Sequence, residues 1–310
     1  MGVPVVSVVI PAYNSARFIG ETIEHVLAQD LPDVEVIVVN DGSTDDTLGV
    51  VARYPSVKVI DQTNAGVAAA RNAGVRAAQG EWVGFVDSDD LWHPQMLSSC
   101  LALARLHPWA LMVLSNSVQQ IDHVALAQRH DWPQGIPPHR LEESFEAVFR
   151  HPYLGMSSVF MRRQVFLDVG GFNESLRRAE DIDLYLRLLH GRRGYVRLMF
   201  DAVHVRVVEG SLSSDSVAGY EQILGVYAAF LHRHPTYATD HPRLLADTFA
   251  DIRLRHARAL LRSDRQGQAI LEAWRAVRLR FNQETLAFLL RALVPLAWTR
   301  GLRRAVGRLA

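Results

Sequence analysis

Three carboxylates fall within four residues at Asp87, Asp89 and Asp90, with Ser88 between the first two. They close an apolar run, Trp82 to Val86, that reads as a buried strand. Carboxylates this close repel one another. A hard divalent cation, Mg²⁺ or Mn²⁺, relieves the repulsion by taking oxygen ligands, commonly shared with a substrate's phosphates. The same residue types suit an acidic turn or a helix N-cap, so the cluster by itself leaves both readings open. Two more acidic positions stand out: Asp41 follows a second apolar run, and Glu180-Asp181 opens a helical pattern. In an open α/β sheet, carboxylates at strand ends converge on one crevice. There, one can hydrogen-bond a base or ribose, a pair can hold metal and diphosphate, and one can act as general base toward a hydroxyl. Acidic residues in a helix's first turn also favour its dipole, and spacing alone favours that reading of Glu180-Asp181.

The elements that must position these groups alternate. Val5 to Ile10 is a continuous β-branched run, the mark of a strand buried on both faces, and Pro11-Ala-Tyr-Asn14 ends it. Ser15 is placed to cap a helix through about Ala28. Val34 to Val39 is a second strand, followed by a turn into a helix capped by Ser43 or Thr44. Val57 to Asp61 is a third strand, and Asn64-Ala-Gly66 opens a helix through Ala78 that is rich in small residues for close packing. Strand Trp82 to Val86, helix Pro94 to Leu106 and strand Ala110 to Ser115 follow. This βαβ order predicts an α/β class, a mostly parallel sheet flanked by helices with right-handed crossovers. Later elements are fainter: a loop from His130 to His139, a strand at Val159 to Met161, a tight turn at Gly170-Gly171-Phe172, a helix from Ala179 to Leu189 and a strand from Tyr195 to Phe200. Beyond Ser216 only helical periodicity remains, over Tyr220 to Arg233, Arg243 to Leu261, Gln266 to Arg280 and Glu284 to Leu309. Two domains are therefore expected, 1–217 and a helical 218–310, with the boundary near Ser211 to Gly219.

Several chemistries are excluded. PAYNSARFIG after the first strand lacks the glycines of a dinucleotide fingerprint, no GxxxxGK[ST] phosphate loop exists, and Ser157-Ser158 is not in a GxSxG elbow. Cys100 is the only cysteine, so no disulfide within the chain and no multi-cysteine zinc site can form. No apolar run reaches the roughly 18 residues of a membrane span, and the N-terminus lacks the basic region of a secretory signal. A cytoplasmic protein is expected, with no nucleic-acid partner.

Five stretches in order, VVIPAYN, VVNDGSTDDT, NAGVAAARNAG, GFVDSDD and GGFNE with EDIDLYLRL, resemble the motif set of the family 2 glycosyltransferases. The resemblance covers roughly residues 5–215 and implies a GT-A fold, a nucleotide-sugar donor (a UDP-sugar foremost) and a divalent cation. It also implies a glycan or lipid-linked acceptor in cell-surface polysaccharide or lipopolysaccharide synthesis. Carried over residue by residue, Pro11, Ala12, Tyr13 and Asn14 line the nucleotide pocket, Asp41 bonds the nucleobase, and Arg71 and Asn72 sit beside it. Asp87, Ser88 and Asp89 form a DXD element, with Asp89 the metal ligand and Asp87 a ribose or metal contact. Asp181 is the base, with Glu180 on the acceptor side. The sequence departs from the family's late RxHxGS-like segment: Arg206-Val-Val208-Glu-Gly-Ser211 has valine where a histidine falls, and His204 substitutes as a metal ligand only in a different register. Two other classes remain beside this reading. A nucleotidyltransferase calls for a basic glycine-rich loop after strand one, which is missing; a non-catalytic sugar-nucleotide-binding scaffold fits Val208 but not the intact Asp87, Asp89 and Asp181.

Overall neutrality hides an asymmetry. Residues 1–217 hold 18 Lys and Arg against 26 Asp and Glu, whereas residues 218–310 hold 15 against 7. Within the basic part, Leu286, Leu289, Leu290 and Leu293 recur at helical spacing, Pro295 predicts a kink, and Arg300, Arg303, Arg304 and Arg308 follow Trp298. This pattern over 284–310 suits either an interfacial helix on anionic lipid at the inner face of the cell membrane or a packed tail with solvated arginines.

Overall fold

The computed structural model describes residues 3–120, 135–142, 144–192, 194–206 and 217–294. Val208, the Ser211 to Gly219 boundary up to residue 216, most of the His130 to His139 loop and everything from Pro295 onward lie outside the described residues. The chain divides into two compact units, Met1–Val148 with Pro152–Glu209, and Phe149–His151 with Gly210–Ala310.

The first unit is built on one sheet. Strand β1 (Val6–Ala12) is buried along its whole length, and α1 (Ile19–Leu27), β2 (Val34–Asp41), α2 (Thr47–Val51), β3 (Lys58–Gln62), α3 (Val67–Ala77) and β4 (Trp82–Phe85) follow in the expected alternation. Next come β5 (Leu91–Trp92), α4 (Met96–Leu106), β6 (Met112–Gln120), β7 (His139–Glu142), α5 (Phe145–Arg150) and, after a 3-10 turn at Met156–Ser158, β8 (Val159–Arg162). Helices α6 (Arg163–Asp168) and α7 (Glu180–Leu189) lead to the long β9 (Tyr195–Arg206). The strand order is β3-β2-β1-β4-β8-β6-β9-β5, with β7 also on β9. The sheet is mixed. Strands β3, β2, β1 and β4 run parallel, as alternation requires; β8 then enters antiparallel between β4 and β6, and β5 and β7 pair antiparallel with β9.

Alternation along β1 splits the core. Val6, Val8 and Ile10 face Ile19 and Ile23 of α1 and Leu97 and Leu101 of α4. Val9 faces the other way, with Ile37 and Val39, onto Ala68, Ala70 and Val75 of α3 and Leu184 and Leu188 of α7. The small residues of α3 serve that approach: a Cβ added at Gly74 would come within 2.3 Å of Val9 Cγ1. We expect Gly74→Ala to cost about 1–3 kcal/mol, the usual cost of overpacking. Urea denaturation followed by far-UV circular dichroism measures it, and an unchanged midpoint would contradict this packing.

Local side chains overrule two expected caps. Ser15 does not cap α1; its hydroxyl donates to the Tyr13 carbonyl and lies 2.7 Å from Ser88 Oγ. Ser43 and Thr44 do not cap α2. Ser43 Oγ accepts the Asn14 N–H, and Thr44 donates its N–H to Asn14 Oδ1, while Asp45 accepts the N–H groups of Ala16 and Thr47. The side chains that would have capped helices instead tie the loops after β1 and β2 together.

The second unit is helical: α8 (Val217–Arg233), α9 (Pro235–Asp240), α10 (Pro242–Arg262), α11 (Gln266–Leu279) and α12 (Gln283–Leu293). Phe149, Tyr227, Phe230 and Tyr237 pack edge-on or tilted into one aromatic cluster, and Tyr227 donates its hydroxyl to the Phe149 carbonyl. Alanines bring α10 and α11 together at Ala257, Ala269, Ala273 and Ala276. Helix α12 begins with a capping box, Asn282 accepting the Thr285 N–H and Thr285 accepting that of Asn282. No described helix is long and apolar enough to cross a membrane.

Candidate active site

The carboxyl ends of β1, β2 and β4 bring the predicted residues to one edge of the sheet. Pro11 and Ala12 are buried at the end of β1, and Tyr13 and Asn14 emerge beyond them, Tyr13 being 52 % exposed. Asn14 adopts φ 50°, a left-handed conformation that Asn tolerates, and its side chain receives Thr44. Asp41 ends β2 with three hydrogen bonds to its carboxylate. Its Oδ1 accepts Gln62 Nε2 and the Ala65 N–H, and its Oδ2 accepts the Gly66 N–H at 2.8 Å. This carboxylate therefore shapes the loop into α3, where Gly66 sits at φ 94°.

Arg71 and Asn72 lie on α3 and reach partners remote in the sequence. Asn72 is buried and grips the turn before α7: its amide donates to Phe172 O and Glu174 Oε1, and its Oδ1 accepts the Phe172 N–H. Arg71, 4 % exposed, bridges two carboxylates that are distant in the sequence. One terminal nitrogen lies 2.6 Å from Asp87 Oδ1, the other 2.8 Å from Glu180 Oε1, and the guanidinium rests over the Phe172 ring. Burial alone would weaken its hold on the proton, but Asp87 and Glu180 keep it charged throughout the working range. Arg71 thus joins the end of β4 to the start of α7.

The acidic turn after β4 is built from partners remote in sequence. The Asp87 N–H donates to Ser157 Oγ, and Ser157 in turn donates to Asp90 Oδ2, while its carbonyl accepts Trp92 Nε1. Thr22 on α1 donates to the carbonyls of Ser88 and Asp90. Asp90 is buried, and desolvation together with Asp87 and Asp89 pushes its carboxyl up to about 8, against the Ser157 hydroxyl and the Arg206 N–H. Asp89 is also raised, by burial first and then by Asp87, with Arg206 opposing. Sequence reasoning counted Asp90 in the cluster without giving it a role, and it missed Ser157 and Arg206 as partners of the turn. A run of three carboxylates hints that one must be inward and neutral; nothing marks Ser157, which lies 67 residues from Asp90.

The turn's chemistry suits a hard cation. Asp87 has one oxygen on Arg71 and a side chain 40 % exposed, and Asp89 carries the electrostatic cost of its neighbour. Two oxygen ligands of this kind, completed by phosphates and water, are what Mg²⁺ takes. Among the described residues no group of three or more His, Cys, Asp and Glu converges to hold a metal by itself. His204 is buried on β9, opposite Leu91 of β5, and belongs to no such group.

Helix α7 presents the last two residues. Ala179 precedes it at φ 59°, a strained conformation for a residue with a Cβ, and such strain concentrates at functional sites. Glu180 turns inward to Arg71, and Asp181 accepts the Ile182 N–H at 2.7 Å. Burial, then Glu180, pushes the Asp181 carboxyl up to about 7, with the Ile182 N–H and Arg71 opposing. The helix is held in place by Arg187, which pairs with Asp183 and donates to the carbonyls of Val169 and Gly171, and by Tyr185, which donates to Leu154 O. A carboxylate with that proton affinity can take a proton near neutral pH, and Arg71 links its helix to the acidic turn.

Comparison with known proteins bears on this arrangement. The profile of the family described as "Glycosyl transferase family 2" matches residues 7–170. The chain is 35 % identical over 192 residues to the chondroitin synthase of Escherichia coli, covering 60 % of this chain but only 26 % of that much longer protein. It is 36 % identical over 222 residues to the succinoglycan biosynthesis protein ExoO of Rhizobium meliloti, covering 68 % of this chain and 63 % of that one. Among solved structures, residues 1–349 of S. aureus TarS in complex with UDP-GlcNAc superpose with a TM-score of 0.58 at 21 % identity, covering 93 % of this chain and 88 % of that one. The likeness is one of fold.

Proposed function

Because the chain belongs to glycosyl transferase family 2, we propose that it transfers a sugar from a nucleoside diphosphate donor, a UDP-sugar, to a hydroxyl of a glycan or lipid-linked acceptor. The product is a cell-surface polysaccharide or lipopolysaccharide. The observation that carries this reading is the Arg71 bridge, which ties the acidic turn at Asp87 to the helix bearing Asp181. In the proposed reaction Asp181 accepts the proton of the acceptor hydroxyl as that oxygen attacks the anomeric carbon, and the configuration inverts in one displacement. Pro11 to Asn14 border the nucleotide, with Asp41 shaping the loop beside it. Asp87 and Asp89 would hold a divalent cation, which when bound supplies electrostatic stabilisation to a departing diphosphate. Glu180, fixed by Arg71, keeps the acceptor side of the crevice in register. Residues 284–310 bring the chain to an anionic membrane surface, where lipid-linked acceptors are presented.

A thermal-shift panel of nucleoside diphosphates and nucleotide-sugars, each with and without Mn²⁺, tests the donor site. A ligand at about 100 times its dissociation constant stabilises the fold by about 2.7 kcal/mol. Stabilisation by one nucleotide that needs Mn²⁺ and disappears in Asp89→Ala is the expected result, and it names the base. Stabilisation that ignores metal would remove the cation from the proposal, and no response to any nucleotide would leave a non-catalytic relative as the better reading.

A further inference from the structure

We infer that the outward faces of α11 and α12 form a docking surface for an anionic lipid bilayer. This deepens the membrane-facing part of the proposal above and is independent of its donor chemistry.

Large apolar side chains crowd the surface of this part of the helical unit. Leu271 and Trp274 of α11 are 45 % and 46 % exposed, Phe281 in the connection is 76 % exposed, and Leu290 and Leu293 of α12 are 57 % and 53 % exposed. Leu271, Trp274 and Arg278 follow one another at three- and four-residue spacing, so they share a face, and the Arg278 guanidinium lies 4.7 Å above the Trp274 ring. Leu286, Leu290 and Leu293 repeat the pattern on α12. The inward faces of both helices are occupied by Ala269, Ala273, Ala276 and Phe288, so these exposed residues are surplus to the helical core.

The charge around them is mostly positive. Arg275, Arg278 and Arg291 are exposed. The acidic residues of the two helices already have basic partners: against its own burial, Glu272 is held down at about 2 by His256, Arg253 and Arg275, and Glu284 meets Arg258 and Arg280. No carboxylate pairs with Arg278 or Arg291 among the described residues. In sequence the same mixture continues past α12, with Trp298 and then Arg300, Arg303, Arg304 and Arg308. Tryptophan, phenylalanine and leucine flanked by arginine match the headgroup boundary of a bilayer, where apolar surface is buried and cations meet phosphate. A second copy of the chain is a poorer occupant, because a two-fold contact would set these arginines against their own kind.

The test is co-sedimentation of the full chain with vesicles of phosphatidylglycerol and phosphatidylcholine in equal parts, and with phosphatidylcholine alone. The chain is expected to partition onto the anionic vesicles only, and less so at high salt. A Trp274→Ala/Phe281→Ala variant, altered only at exposed positions, should lose about tenfold or more in partition coefficient while keeping its Tm. An Arg278→Gln/Arg291→Gln variant should bind more weakly and with a shallower salt dependence. Changing Arg300, Arg303, Arg304 and Arg308 to Gln should leave a measurable part of the binding. Equal binding to both vesicle types, equal binding by the aromatic variant, or complete loss in the Gln-substituted tail with none in the aromatic variant would each overturn the inference. So would a Trp274-dependent oligomer that ignores vesicles. No donor or acceptor enters this assay, so its failure is distinct from failure of the transferase reading.

Discussion

An Asp181→Asn variant is expected to lose sugar transfer by about 10²–10⁴-fold, the usual worth of a positioned general base, while still binding donor nucleotide. The pH dependence follows from the same carboxyl. Asp181 must be ionised to accept a proton, and burial beside Glu180 raises it to about 7. For the free enzyme kcat/KM should therefore climb about tenfold per pH unit below 7 and level off above it. Stability should move the opposite way. The unfolded chain ionises this aspartate near its ordinary value of 3.8, whereas the folded chain keeps the proton until about 7. The folded state thus binds more protons across that window, so Asp181 takes stability away as pH rises from about 4 to 7. Asn carries no such titration. The variant should melt increasingly above the wild type over that range, by about 2–4 °C for each kcal/mol relieved. Calorimetry across pH, paired with an activity profile, reads both effects. A variant that transfers at the wild-type rate would remove Asp181 from the role of base.

The second large effect concerns the guanidinium that joins the two halves of the site. Arg71→Leu leaves Glu180 buried without its partner, and breaking such a pair costs about 3–5 kcal/mol. The Asp87 arm contributes less of that cost, because Asp87 is 40 % exposed and solvent screens it. Urea denaturation should show the loss. Adding Glu180→Gln in the same chain should return part of it, giving a coupling energy of about 0.5–3 kcal/mol in a double-mutant cycle. Arg71→Lys keeps one charge but loses the planar fork that meets two carboxylates at once, and it should fall between the two. Additive effects would mean that Arg71 packs without bridging.

How much of this could be read beforehand depends on sequence distance. Strands β1, β2 and β4 announce themselves because they are buried over most of their length and their apolar runs are nearly continuous, whereas β3 is a largely exposed edge strand; β8 and β9 announce themselves less, and β5 and β7 are short strands. Asp87 and Asp89 stood out as a carboxylate cluster because of their neighbours in the chain, and Asp181 only through the family resemblance. Their supports did not, since Ser157, Glu174 and Arg206 reach the site across gaps that no local pattern records. Asp41 is instructive. Its strand-end position was evident, yet its immediate employment, holding Gln62, Ala65 and Gly66, appears only once the loop is closed. Arg71 was expected near a nucleotide, and its grip on two carboxylates was not foreseen.

The span of that grip bears on the order in which the chain can assemble. Arg71 finds Asp87 16 residues away but Glu180 only 109 residues away. As the polypeptide emerges, β1 to β4 and α3 can pair early, since they are close neighbours in both sequence and sheet. They then carry a guanidinium that lacks half of its counter-charge, and Asn72 beside it lacks the backbone of Phe172. Burial of such a cation is unfavourable until α7 docks, so the early half should remain loosely packed at this corner during synthesis. Docking α7 supplies both missing partners at once and ties the helix bearing Asp181 to the acidic turn.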